Sequence, residues 1–402
     1  VRSIVAHWSN ERATLRQGVS ALTICITVEL FAGILLGAME RVLARTPGLL
    51  VLVPAAIGMR GAIFSPLAAR LGTGMLTGQF SSSLRRGSFT AANVEAALLL
   101  TAITAVSNAA LAWGISGLFG LRTIDVLQLV IVSSVGAVAA SAVVLAVTLA
   151  LARTAQARSW DMDAIGTPVI SAVADITTLP ALLLGVLMLG DVVVHVVLGG
   201  LLTAAALAAL VLALRNPSPL ARRIVQESLP VLAYTGVMGI LAGTVLETRL
   251  ETLVRDPALL VAVPPFIALS GALGGILSAR LSSRLHLGLL TPSRAPSVQV
   301  APEASVMGLL ALAGFTLVGT TTWIAATVFD IAAPSAWQLV VGLLSGGLIA
   351  TGLLFLVAYY AATASFRFGL DPDNSSIPIV SSSMDFLGIL CLVAGISVVG
   401  LG

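Results

Sequence analysis

Long apolar runs, broken by short polar stretches, follow one another along the whole chain. A helix crossing the ~30 Å hydrocarbon core of a bilayer takes about 20 mainly apolar residues. Eleven runs meet that length, near 18–40, 49–70, 93–120, 126–152, 165–190, 192–214, 228–246, 258–279, 304–329, 336–362 and 376–400. In lipid every backbone N–H and C=O must be satisfied within the protein, and these runs are too long and too evenly apolar for barrel strands. The pattern therefore predicts an all-α polytopic membrane protein with eleven transmembrane helices.

Composition agrees and excludes other classes. Of 402 residues 58% are hydrophobic and 10% charged, against about 25% charged in a soluble globular domain. A water-soluble enzyme or a nucleic-acid reader is excluded, and the net charge of +3 is too small to argue for nucleic acid. Cys25 and Cys391 lie in apolar runs and read as small core residues, not as a disulfide. All 21 basic residues are Arg. With the N-terminus in the cytoplasm, 15 of the 21 fall in inside segments, five outside, and Arg60 within a span. That bias predicts a cell-membrane, multi-pass protein with a cytoplasmic N-terminus and an outside C-terminus. Arg2, Glu11, Arg12 and Arg16 precede the first span, and no cleaved signal peptide is expected.

The sequence repeats itself. Pro54, Gly61-Ala62 and Ala69-Arg70-Leu71 return as Pro264, Gly271-Ala272 and Ala279-Arg280-Leu281, all at an offset of 210. Asp161, Asp163, Pro168, Ser171 and Asp175 return at the same offset as Asp371, Asp373, Pro378, Ser381 and Asp385. Two separated blocks with one offset imply a tandem duplication. Five helices end on the face opposite to their start, so a directly fused copy would be inverted; the unmatched span 192–214 restores the orientation. The expected architecture is 5 + 1 + 5, with a pseudo-two-fold axis along the membrane normal. Its parts are a cytoplasmic segment 1–17, a first five-helix unit 18–190, a linker helix and loop 191–221, and a second unit 222–402. One chain would then act as a pseudo-dimer.

Candidate chemistry sits where charge is costly. An Asp at mid-helix in a membrane costs about 3 kcal/mol on translocon scales and is functional by default. Asp175 and Asp385 are such residues, at equivalent positions in the last helix of each unit. Ser171 and Ser381 precede them by one turn on the same face. Thr167 lies eight back, and Asp161 and Asp371 fourteen back, with Asp163 and Asp373 beside them. This is a column of oxygen ligands, and Pro168 and Pro378 would free backbone carbonyls within it. Oxygen donors without His or Cys suit a hard cation such as Mg2+ or Ca2+. Two facing carboxylates also need a cation between them, or a proton. The bland alternative is a pair of helix-packing acids, which their recurrence at matched positions argues against. Glu29, Arg60 and Glu95 have uncharged counterparts, and they read instead as an ion pair within one half.

These residues resemble a known family. The stretch Asp371-Pro372-Asp373-Asn374, Pro378, Ser381, Asp385 resembles the last-helix signature of the MgtE magnesium transporters and their solute-carrier relatives. So does Pro54-Ala55-Ala56-Ile57-Gly58-Met59-Arg60-Gly61 through Ala69-Arg70-Leu71-Gly72-Thr73, in the form carried by the two-domain relatives, which have a basic residue at the position of Arg60. The resemblance implies a five-helix domain that pairs and conducts Mg2+ along the pairing axis. It implies that Asp175 and Asp385 hold the hydrated ion, with Ser171 and Ser381 lining the path and Asp161 and Asp371 nearer the cytoplasmic mouth. An Asn of the family's second-helix motif is replaced here by Ala62 and Ala272. The first span begins near residue 18, so gating by the family's cytoplasmic regulatory domains is not expected; Asp161, Asp163, Asp371 and Asp373 are candidates for a simpler sensing site, with Mg2+ as regulator as well as cargo.

The expected function is transport of a divalent cation, Mg2+ foremost, with membrane lipid and the ion as partners. A Na+- or H+-coupled Mg2+ exchanger would use the same acids. A diaspartyl intramembrane protease, the rival from among enzymes, would carry Gly-x-Gly-Asp, whereas the acids here follow Ala172-Val173-Ala174 and Ser382-Ser383-Met384. The chain is therefore read as a transporter and not an enzyme.

Overall fold

The computed structural model describes the backbone of residues 12–401 apart from residues 82, 86, 159, 161, 294, 297 and 369–371. Side chains are described for the same residues except 12–17, 163, 164, 167, 168, 298 and 372–377. Among the described residues there is no strand. The helices are α1 (Arg12–Ala38), α2 (Glu40–Arg45), α3 (Leu49–Leu76), α4 (Phe89–Leu118), α5 (Val126–Arg158), α6 (Met162–Leu187) and α7 (Val192–Leu214). They continue as α8 (Pro219–Glu247), α9 (Leu250–Arg255), α10 (Ala258–His286), α11 (Ala301–Val328), α12 (Ala336–Phe368) and α13 (Pro372–Val398). Among the described residues eleven helices are long and apolar enough to cross a membrane.

The offset read from the sequence recurs in the backbone. Helix α5 and helix α12 start and end 210 residues apart, as do the short helices α2 and α9. Gly120 and Asp330 both take positive φ, at 67° and 54°, where the chain leaves α4 and α11. Asp125 and Ser335 open the next helices alike, each backbone N–H donating to Oε1 of a Gln three residues on, Gln128 or Gln338. A β-turn-like exit and a capped restart thus sit at the same place in both copies.

In space the chain forms two compact units, residues 45–247 and residues 1–44 with 248–402. In the first, α3 is the central helix, packed on by α4, α5, α6 and α8, with α7 outside against α4 and α5. In the second, α10 holds the same place among α1, α11, α12 and α13. These two helices are the most buried of the spans, at 67% and 72% of their apolar windows. Spatial unit and sequence repeat are different divisions of the chain: each unit takes its first long helix, α8 or α1, from the other repeat. The seat of that helix is the same in both. A Cβ on Gly243 of α8 would lie 2.2 Å from the Val51 carbonyl oxygen, and one on Gly33 of α1 would lie 2.0 Å from that of Val261. Only glycine lets these backbones approach so closely, the small-residue packing that lipid favours because apolar burial gives helices no preference for one another there.

Helix α7 shows the other side of that rule. Its buried residues are Gly199, Ala206, Ala209 and Ala213, all small, while Val192, Val193, Val196, Val197, Leu201 and Leu207 are exposed. A face of this kind would be a liability in water and is at home against acyl chains.

Candidate functional site

The site is built on the contact of each central helix with the last helix of its repeat. In residues 45–247 that pair is α3 and α6, and in the other unit α10 and α13. A glycine stands at the contact in both, with less room at 271 than at 61. A Cβ on Gly61 would lie 4.0 Å from Ser171 Oγ, and one on Gly271 would lie 3.2 Å from Ser381 Oγ. In both units, then, the hydroxyl that the sequence pairs with the acid faces the same glycine of the central helix.

From that position Ser171 Oγ donates to Asp175 Oδ2 at 3.4 Å, one turn along α6. Asp175 is buried, at 7% exposure, while Asp385 is half-buried. A carboxylate and a hydroxyl one turn apart present two hard oxygens on one helix face, a donor set for a hydrated Mg2+ held through its waters. Pro378 lies inside α13, one turn before Ser381. Of the other residues singled out in the sequence, Thr167, Asp163 and Asp373 occupy helical positions of α6 and α13, with side chains outside the described set. Asp161 and Asp371 lie outside the described residues altogether. Among the described residues no three of His, Cys, Asp and Glu come together as a metal cluster.

Of the charges expected to pair within a half, Glu95 and Arg60 each have a neutral hydrogen-bond partner. Glu95 accepts from Asn216 Nδ2 at 2.7 Å. Arg60, only 4% exposed on α3, donates from Nη1 to its own helix at the Ala56 carbonyl. Its Nε has no partner, and it lines a small cavity with Thr101, Thr104 and Asn108 of α4 and Ser133 and Ser141 of α5. Sequence reading missed this polar group. The signal was present in the spacing of 101, 104 and 108, which puts all three on one face of α4.

Nearer the polar end of the central helices the two units also differ in charge. Arg280 Nε meets Glu303 Oε2 at 2.5 Å, and Arg284 Nη1 meets Oε1 of the same carboxylate at 3.0 Å. At the equivalent place in the other unit, Arg70 Nε donates to the neutral Asn93 Oδ1 at 2.8 Å.

Eleven candidate spans and no strand among the described residues, with acids at repeated positions inside two of those spans, define a polytopic membrane transporter. The family model of MgtE, described as a divalent cation transporter, matches residues 53–186 and again residues 263–395. The matches cover more than half of the chain and start 210 residues apart, the offset of the internal repeat. The chain belongs to the MgtE family of divalent cation transporters. No solved structure matches it.

Proposed function

We propose that this protein conducts Mg2+ along a path to which each repeat contributes the acid of its last helix, Asp175 and Asp385, with Ser171 and Ser381 beside them. One observation carries the reading: in both units the serine one turn before the acid stands against the same central-helix glycine. A single buried acid is explained by packing; a costly one kept twice, in one setting, is explained by an ion that both copies serve. Oxygen donors and few direct ligands fit Mg2+, which keeps most of its waters. In this reading the chain is a pseudo-dimer, two five-helix repeats joined by α7, with its N-terminus in the cytoplasm as the arginine bias directs. Asp161, Asp163, Asp371 and Asp373 then lie at the cytoplasmic mouth, where bound Mg2+ would report the internal concentration.

The test is Mg2+ flux into proteoliposomes with no Na+ on either side, wild type against Asp385→Asn. Flux in the wild type that falls at least tenfold in the variant is the expected result. Flux indifferent to Asp385→Asn overturns the paired-acid path. Flux that appears only when Na+ is added converts the reading to a coupled exchanger using the same acids.

A further inference from the structure

A chain built from two copies is informative where the copies disagree, and the largest disagreement surrounds Arg60. Its cavity offers about 20 Å³ to the centre of a water-sized molecule, enough for one. Two of the polar groups lining it are unsatisfied: Arg60 Nε, a donor, and Asn108 Oδ1, an acceptor, on side chains that are each 4% exposed. A water answers both needs, since it accepts from one and donates to the other; a simple anion answers only the first.

At the same positions of the other unit the cation and most of the polar lining are gone; Thr351, in place of Ser141, keeps a hydroxyl but donates it to its own helix at the Gly347 carbonyl. Ser270 stands for Arg60 and turns its hydroxyl back to the Phe266 carbonyl at 2.9 Å. Ala311, Gly314, Val318 and Leu343 stand for Thr101, Thr104, Asn108 and Ser133. Phe266 and Phe315 replace Ala56 and Ala105, both fully buried with ring centroids 4.8 Å apart. The rings take the space outright: a Cβ on Gly347, where the first repeat has Ala137, would lie 2.1 Å from the Phe315 ring. Most of the polar lining, and the room that the two rings now fill, are thus lost together with the one cation, as expected if their task is to keep that cation charged inside a membrane.

What the cation does follows from where it stands. Ser270 Oγ, its stand-in, lies 3.5 Å from a Cβ placed on Gly388, less than one turn beyond Asp385. Position 60 of α3 therefore faces α6 beside Asp175, and its neighbour Gly61 faces Ser171, the donor to that carboxylate. We propose that Arg60 is a resident counter-charge for Asp175, which makes the acid of the first repeat a weak ligand for a divalent cation and leaves Asp385 as the tight one. The path then carries a net charge nearer −1 than −2 at its two acids. A site of −2 in low dielectric would hold Mg2+ too firmly to release it, and conduction requires binding weak enough to leave. Arg60 touches no ion in this scheme; it is a positioning residue that sets affinity through Asp175.

The inference rests on the paired-acid reading, and one experiment separates the two. Initial Mg2+ influx into proteoliposomes of the full chain is measured against external Mg2+ for wild type, Arg60→Gln and Arg60→Lys. Arg60→Gln is expected to lower the half-saturating Mg2+ concentration about tenfold and to lower the maximal rate, because release slows. Arg60→Lys, which keeps the charge, stays within about twofold of wild type in half-saturation. A normal wild-type flux with an unmoved or raised half-saturation in Arg60→Gln overturns the counter-charge alone. Absence of flux in the wild type, with Na+ as well as without it, overturns the paired-acid reading and this one with it. Should Arg60→Gln fail to fold, thermal unfolding of Asp175→Asn/Arg60→Gln decides: recovery of the fold in the double variant supports the pairing, and no recovery overturns it.

Discussion

Residue 271 has less room around it than its counterpart at 61, and the difference bears on the acid each helps to place. A methyl group at 271 would come within 3.2 Å of Ser381 Oγ, so that hydroxyl must give way; at 61 the corresponding gap to Ser171 is 4.0 Å, ordinary contact. Gly271→Ala is therefore expected to cut Mg2+ flux several-fold with little change in melting temperature, whereas Gly61→Ala leaves flux within about twofold. Flux assays and thermal unfolding of the two purified variants check this, and equal losses would show that the serine's position does not matter. The acids and serines were legible in the sequence because the duplication printed them twice at one offset. Arg60 was legible only as a costly charge and read as an ion-pair partner. Its surroundings come from α3, α4 and α5 at once, and residues 60, 101 and 133 are brought together by packing that no local pattern encodes. The second expected partner, Glu95, finds Asn216 across 121 residues for the same reason.

At the scale of the helix, hydropathy located the spans well and their ends less well. The runs near 49–70 and 126–152 belong to helices that continue to Leu76 and Arg158. Apolar run length measures the hydrocarbon, but an i to i−4 ladder continues into the interface wherever its polar ends are wet. The short helices α2 and α9, of 6 residues each, are too brief to leave a hydropathy signal. What the runs conceal entirely is which helices touch closely, and there the glycines decide. A Cβ on Gly395 of α13 would lie 2.3 Å from the Gly342 carbonyl oxygen of α12. Its counterpart on Gly185 of α6 would lie 2.5 Å from that of Val132 on α5. Both neighbours are backbone and cannot step aside, so the helices themselves must separate. Gly185→Val and Gly395→Val are each expected to cost about 1–3 kcal/mol as overpacking changes, read as a lowered midpoint of thermal unfolding in detergent. Gly352→Ala, where a Cβ meets nothing within 4 Å, serves as the control expected to leave that midpoint unmoved.

For the whole molecule, the repeat tells which helices are equivalent but not which are partners. Equivalence is a property of sequence; partnership depends on the faces that packing selects, and here the first long helix of each repeat packs in the unit that holds the other repeat's remaining helices. Gly33 on Val261 and Gly243 on Val51 are one contact made twice, each time between residues more than 190 positions apart in the chain. An exchange of identical elements between copies is how a swapped dimer is held together, and in this chain the copies are already covalently joined. A cut in the loop between α7 and α8 consequently does not release two complete units. The fragment 1–216 keeps α3 but loses α8 from its face, and the fragment 217–402 keeps α10 but loses α1, baring in each case a backbone groove shaped for a glycine helix. Produced separately, each fragment is expected to aggregate in mild detergent and to carry no Mg2+ flux. Produced together, they are expected to co-purify as a 1:1 complex and regain flux, because the exchanged helices supply the association. If either fragment alone proved monodisperse and bound its own first helix, the exchange would be dispensable to the fold, and the two repeats would be independent modules that happen to share a chain.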